Sequence, residues 1–107
     1  MYARQVSMEL RPNSHADFTR RIESEVLPLL RKQKGFQDEI TFVNPAGKDA
    51  FAISLWDNKE SAEAYNRASF AEVTKLLSKV VEGTPRVKSY EVANSTFHKI
   101  AATQKAA

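Results

Sequence analysis

The chain has 107 residues, which fits one domain with a core of its own. Its 16 lysines and arginines and 13 aspartates and glutamates give a formal net charge of +3, and the two signs alternate along the chain, so we expect no nucleic-acid groove. The sequence has no cysteine, no apolar run long enough for a bilayer and no signal-peptide pattern, so we expect a cytoplasmic protein without disulfides or a membrane partner.

The first predicted strand, residues 2–11, has one apolar and one polar face. The apolar face consists of alternate residues, Val6, Met8 and Leu10. The polar face consists of the residues between them, Gln5, Ser7 and Glu9. This alternation is typical of a strand that is covered on one side.

A long amphipathic helix is predicted after Pro12. Pro28 lies inside this pattern, where it removes an amide donor and crowds the carbonyl four residues earlier. We therefore expect a kink or a restart near Leu27. Gly35 ends the helix, because glycine most easily adopts the left-handed cap conformation.

Two further strands, residues 36–44 and 49–56, flank the turn sequence Asn44-Pro45-Ala46-Gly47 and are predicted to form an antiparallel hairpin. In the second of these strands, two sets of residues alternate, so they are predicted to lie on opposite faces of the strand. The first set is Phe51, Ile53 and Leu55, and the second is Ala52, Ser54 and Trp56. Trp56, the single tryptophan, is compatible with a buried core position and with the wall of a pocket.

A second amphipathic helix is expected directly after Trp56, with Asp57 and Glu60 as its capping box. A similar pattern at Ser69 predicts a break near Ala68. The residues Gly83-Thr84-Pro85 are expected to end this helix. A last strand is then predicted over residues 87–97, and residues 98–107 are predicted to be a tail that frays.

The element order is βαββαβ, which predicts one α+β domain over residues 1–97. Two helices can cover only one face of a four-stranded sheet. We expect the face with Ala52, Ser54 and Trp56 to be left without a helix. A second copy of the chain is the simplest cover for it, so we infer a homodimer.

Three segments in this order resemble the antibiotic biosynthesis monooxygenase domain: ELRPNSHADF, VLPLLRKQKGF and ISLWDNKESAEAYNRASF. The resemblance covers roughly residues 2–97. It implies a ferredoxin-like protomer with a four-stranded antiparallel sheet, and two such protomers forming a dimeric α+β barrel.

The resemblance also implies a monooxygenase activity that needs no cofactor and acts on a small aromatic phenol or quinol. Haem-degrading relatives carry a tryptophan and a histidine where this sequence has Tyr65 and Lys75. A lysine ammonium does not coordinate iron, so we expect no haem. His15 and His98 lie far apart and no carboxylates stand at ligand spacing, so we expect no metal either.

In the candidate site, the polar face of the first strand is expected to face Trp56, Ser54 and Tyr65 across the sheet. Glu9 is the candidate proton acceptor, and Tyr65 is a candidate hydrogen-bonding partner for a phenolic ligand. An exposed Glu9 at the strand edge would need no such role. The candidate substrate-binding residues are Gln5, Ser7, Ser54, Trp56 and Phe70.

Two functions remain open from the sequence. One is the oxygenase that the resemblance implies, and the other is a dimeric module of the same fold that binds a ligand or has a structural role without turnover. The three glycines are accounted for by caps and turns, so no phosphate-binding loop is indicated.

Overall fold

The structure of the protein is a computed structural model that describes residues 1–97. The predicted tail, residues 98–107, lies outside the described residues. The elements in chain order are β1 (Tyr2–Leu10), α1 (His15–Arg21), a π-helical turn (Ile22–Val26), α2 (Leu27–Arg31), β2 (Phe36–Val43), β3 (Asp49–Trp56), α3 (Lys59–Ala68), α4 (Phe70–Leu77) and β4 (Val81–Glu91).

The four strands form one antiparallel sheet in the order β2-β3-β1-β4. Strands β1 and β3 are central, and β2 and β3 form the predicted hairpin. This arrangement confirms the predicted ferredoxin-like α+β fold. The barrel that two such sheets would form stays a prediction.

Pro28 restarts the first helix where the sequence predicts it. α2 begins at Leu27, and the preceding turn is π-helical, with the Leu27 amide donating to the Ile22 carbonyl. A proline ring crowds the carbonyl four residues earlier in a regular α-helix, and a widened turn relieves this contact. Gly35 has φ +83°, and a Cβ there would collide with the side chains of Asp57 and Ser61, so this position favours glycine.

The second helix is interrupted as predicted, but its cap differs. α3 ends at Ala68 and α4 begins at Phe70. The predicted capping box at Asp57 is wrong, because the Asn58 side chain accepts the Ser61 amide at 2.8 Å. An asparagine oxygen caps a helix as well as an aspartate oxygen, and the chain is already extended at Asn58.

The predicted limits of the last strand are wrong, because β4 starts at Val81 and ends at Glu91. Gly83 and Pro85 lie inside β4, at a register shift between the pairs Ser7–Arg86 and Glu9–Glu82. Gly83 has φ +70°. A bulge in an edge strand accommodates both residue types, since proline lacks an amide for the ladder. The residues that predicted a helix end therefore mark a strand irregularity.

The predicted exposure of the Trp56 face is wrong. Residues directly opposite in the ladder share a face, and Trp56, Ser54 and Ala52 pair with Tyr2, Arg4 and Val6. The helices cover this face, and Trp56 and Ser54 are buried. Period-two alternation shows which residues share a face, but it does not show which face the helices cover.

The opposite side of the sheet, called here the outer face, has no helix on it within residues 1–97. In the two central strands it consists of Ala3, Gln5, Ser7 and Glu9 with Asp49, Phe51, Ile53 and Leu55. Ile40 and Phe42 of β2 extend it, and their exposed fractions are 40% and 42%. The Phe42 and Phe51 rings stack on this face with centroids 4.6 Å apart. No helix in the described part of the chain is long and apolar enough to cross a membrane.

Candidate functional site

A small cavity of about 50 Å³ lies between the helix-covered face of the sheet and the helices. Every residue that lines it is buried or half-buried. Most of the lining is aliphatic, and α4 contributes Val73 and Leu77. The polar side chains in the lining are Arg4, Glu39, Ser54, Tyr65 and Thr74. An apolar space with few polar groups is typical of a site for a small organic ligand.

Arg4 supplies a cation to the lining of this cavity, and only 4% of it is exposed. Its Nη1 donates to the Asn66 side-chain oxygen at 2.9 Å. Its guanidinium carbon lies over the rings of Phe70 and Tyr65, at 4.7 and 5.3 Å from their centroids. Its Nε and Nη2 are buried and meet no acceptor among residues 1–97.

Burial disfavours the charge on Arg4 and lowers its pKa, while the nearby hydroxyls of Tyr65 and Tyr2 act in the opposite direction. A buried donor without an acceptor costs about 1–3 kcal/mol, and more for a charged group. Arg4 therefore keeps a cation in the cavity at a cost in stability, which is typical of a group retained for binding.

Glu39 supplies a carboxyl group to the same cavity. It lies on β2 opposite Ser54, so its side chain is on the helix-covered face. Burial raises its pKa, and a hydrogen bond from the Thr41 hydroxyl partly offsets this. A raised carboxyl pKa brings this group closer to the range in which it exchanges protons at neutral pH.

Tyr65 stays a neutral phenol near neutral pH. Burial is the main cause that raises its pKa to about 12, the positive charge of Arg4 acts against this, and Glu39 adds to the increase. The ring stacks on Trp56 with centroids 4.9 Å apart, which fixes its orientation. Tyr65 is therefore suited to donate a hydrogen bond and not to accept a proton.

Trp56 is fully buried behind Tyr65 and does not line the cavity. Its Nε1 donates to the Ser54 hydroxyl at 2.9 Å, and the Phe36 ring meets its edge at a centroid distance of 5.6 Å. The arrangement is that of a core residue with a satisfied polar atom. Of the two alternatives that the sequence left open for Trp56, the geometry favours the core position.

The structure separates the predicted site residues into two groups. Ser54, Tyr65 and Phe70 line the cavity, with Trp56 behind them. Three predicted residues, Gln5, Ser7 and Glu9, lie on the outer face. The expectation that these three face Trp56 is wrong, because pairing in the ladder puts them on the opposite side. Glu9 is exposed, so roles for these three residues apply only to a site on the outer face.

Sequence analysis missed Arg4 and Glu39. The signal for Arg4 was present, since it stands two residues before Val6 on the apolar face of the first strand, where a charge is out of place. Glu39 had no comparable signal, because β2 alternates weakly between polar and apolar residues. Among residues 1–97, no group of three histidine, aspartate or glutamate side chains is arranged to hold a metal.

Solved structures show the same fold. A monooxygenase of Streptomyces coelicolor in complex with nanaomycin D has a TM-score of 0.74 at 15% identity, over 88% of each chain. SnoaB, a cofactor-independent oxygenase of Streptomyces nogalater, has a TM-score of 0.70 at 11% identity, over 89% of this chain and 95% of that one. An antibiotic biosynthesis monooxygenase has a TM-score of 0.68 at 12% identity, over 86% of this chain and 98% of that one.

The chain has the fold of the antibiotic biosynthesis monooxygenase domain. This agrees with the resemblance in the sequence motifs. No sequence profile of a protein family matches the chain, and no curated protein matches it significantly. At these identities the likeness establishes the fold, and the function has to be argued from the residues of the cavity.

Proposed function

We propose that the protein is a cofactor-independent monooxygenase that acts on a small aromatic substrate of the phenol or quinol type. The observation that carries the proposal is the cavity in which a carboxyl group of raised pKa, Glu39, occurs together with a neutral phenol, Tyr65, and a cation, Arg4. The fold supports it, because it also occurs in an oxygenase described as cofactor-independent.

The proposed reaction needs no external reductant. Glu39 accepts the proton of the substrate hydroxyl, and the electron-rich phenolate gives electrons to molecular oxygen. A carbon–oxygen bond then forms, Glu39 returns its proton to the peroxide, and the hydroperoxide loses water to leave a quinone, so that the substrate supplies all the electrons that reduce both oxygen atoms. Arg4 stabilises the negative charge that develops on the substrate oxygen, as preorganised donors do in other active sites.

The cavity has to widen to admit an aromatic ring. At about 50 Å³ it has room for a few water molecules. Two irregular segments border it: the π-helical turn ends at Val26, and the break between α3 and α4 precedes Phe70. Such interruptions of regular helices are common at functional sites. We therefore assign the widening to a movement of half-buried Phe70 at the start of α4.

We propose in addition that the protein is a homodimer that pairs through its outer face. Phe42 and Ile40 are two-fifths exposed on this face, and Phe51, Ile53 and Leu55 are half-buried beside them. A contiguous apolar surface of this kind is typical of an interface. This supports the same dimeric barrel that the sequence predicts, but through the face opposite to Trp56.

An oxygen electrode tests the proposed reaction. Wild-type protein in buffer with a chelator is mixed with a panel of phenols, hydroquinones and naphthols, and oxygen uptake is compared with the spontaneous rate. We expect catalysed uptake with quinone formation for at least one member, and its loss in Glu39→Gln. The absence of uptake across the panel, with ligands that bind, would favour the non-catalytic module.

A further inference from the structure

Two nitrogens on one edge of the Arg4 guanidinium have no hydrogen-bond acceptor among the described residues. Nη1 is bonded to Asn66, while Nε and Nη2 are buried and meet no acceptor among the described residues. In a guanidinium the Nε–H and one Nη2–H bond point in the same direction and form a fork. This fork matches two coplanar oxygens of one anionic group.

The described part of the chain supplies no counter-ion for this fork. None of the ion pairs found within residues 1–97 includes Arg4. Glu39 lines the same cavity, but its carboxylate accepts from Thr41, and neither free Arg4 nitrogen bonds to it. A buried cation is stabilised when a partner brings the opposite charge.

The surroundings of the fork favour a flat apolar body on the ligand. The guanidinium carbon lies over the rings of Phe70 and Tyr65, and these rings and Val73 also line the cavity. A ligand that reaches the fork therefore contacts aromatic and aliphatic side chains with the rest of its surface.

We propose that the ligand of this cavity is an aromatic anion that presents two oxygens of one charged group to Nε and Nη2 of Arg4. An arene carboxylate has such a pair, and so does an ionised hydroxyquinone, in which the charged oxygen and the adjacent carbonyl oxygen lie side by side in the plane of the ring. The inference rests on the proposed function for the location of the site and narrows its substrate class to phenols and quinols that carry such a charged group in addition to the hydroxyl whose proton Glu39 accepts. A phenol with one oxygen satisfies only half of the fork.

Binding measured without oxygen tests this inference separately from turnover. Calorimetry under anaerobic conditions at pH 7 compares benzoate, 2-hydroxy-1,4-naphthoquinone, phenol and benzamide, which has the shape of benzoate without its charge. We expect one or both anions to bind about tenfold or more tightly than benzamide and phenol, in line with charge-assisted hydrogen bonds. The anion that binds identifies the source of the oxygen pair.

Variants at Arg4 assign the effect to the fork. Arg4→Lys keeps the charge but presents no fork, and we expect about a tenfold to hundredfold loss of anion affinity. Arg4→Met should remove the preference for benzoate over benzamide. Arg31→Lys, at an exposed position in α2, is the matched control and should bind as the wild type does.

Binding of both anions no tighter than that of benzamide and phenol, or unchanged anion affinity in Arg4→Met, would overturn the inference. The two proposals fail separately. Anion binding through Arg4 without oxygen uptake would contradict the oxygenase alone. Oxygen uptake by the wild type, with both anions bound no more tightly than benzamide and phenol, would contradict the role of the fork alone.

Discussion

The guanidinium carbon of Arg4 lies 5.3 Å from the centroid of the Tyr65 ring, inside the same cavity. Tyr65 raises the pKa of Arg4, and Arg4 lowers the pKa of Tyr65. The positive charge of Arg4 favours tyrosinate, whereas burial disfavours it by more, and the pKa of Tyr65 rises to about 12. The cavity thus holds a cation beside a phenol that keeps its proton, so both can donate to a ligand oxygen.

The contact between Arg4 and Tyr65 predicts how the Tyr65 hydroxyl ionises at alkaline pH. We expect a tyrosine ionisation step near pH 12 in the wild type, and we expect this step to be absent in Tyr65→Phe. In Arg4→Met the same step should move higher, because the charge that lowers the Tyr65 pKa is gone. Tyrosinate absorbance measured against pH checks both outcomes. A late step that persists in Tyr65→Phe would contradict the assignment.

The same pKa makes a prediction for stability. The folded-state pKa of Tyr65 is raised above the usual tyrosine value of 10.0, so its contribution to stability is complete below pH 10 and is lost as pH rises toward 12. We expect the unfolding free energy of the wild type to fall more steeply over this window than that of Tyr65→Phe. Urea unfolding at a series of pH values measures the difference.

Glu39 is expected to make a second contribution to the unfolding free energy that also decreases as pH rises. Burial raises its pKa above 4.5, so its contribution to stability is present at acid pH and is lost as pH rises through the folded-state pKa. Glu39→Gln, which keeps its shape and stays neutral, should therefore be more stable than the wild type at pH 7, with the difference disappearing below about pH 4.5. Thermal melts at both pH values test this.

Glu23→Gln, at an exposed position, is the matched control and should not show this pattern. If Glu39→Gln is less stable than the wild type at pH 7, then the carboxylate is a structural group that contributes its charge to the fold. In that case the role of Glu39 as a proton acceptor would lose its support.

Arg4 is expected to be dispensable for folding. Arg4→Met removes a buried charge with two unsatisfied nitrogens, which should raise the unfolding free energy by about 1–3 kcal/mol. It also removes cation–π contacts, which should lower the unfolding free energy by about 0.5–2 kcal/mol. The unfolding free energy should therefore stay the same or rise, while anion binding is lost. Chemical denaturation measures it, and a clear loss of stability would show that Arg4 is retained for packing.

The order of the elements and the fold class could be predicted from the sequence because the signals are local. Pro28 and the turn around Pro45 act within a few residues of where they stand. The limits of β4 could not be predicted, because Gly83 and Pro85 have the same local preferences at a helix end and in a bulge. Only pairing with β1 distinguishes the two.

The candidate site was only half predictable for a related reason. Tyr65 and Phe70 were placed by their position along the helix, which the local pattern defines. Which face of the sheet the helices cover depends on pairing between strands that are distant in sequence. That pairing puts Glu9 outside and brings Arg4 and Glu39 together.

The dimer prediction concerns Phe42, which is 42% exposed and stacked on Phe51. Replacing it by aspartate puts a charge in the proposed interface, and a buried unpaired charge is strongly unfavourable. Light scattering at micromolar concentration should give a dimer mass for the wild type and a monomer mass for Phe42→Asp. Ala71→Asp, exposed on α4, is the control and should stay a dimer. A monomeric wild type would contradict the barrel.

Replacing Trp56 distinguishes a core position for its indole from a position in the wall of the ligand site. It is fully buried, stacks on Tyr65 and bonds Ser54, so Trp56→Ala should cost about 3–5 kcal/mol of unfolding free energy, as for other large core aromatics. Tyr65→Phe keeps the ring in the same stack and should cost about 1 kcal/mol or less. Urea denaturation of both variants measures the contrast. A loss of only one or two kcal/mol in Trp56→Ala, with weaker binding of an aromatic ligand, would instead indicate that the indole forms a wall of the ligand site.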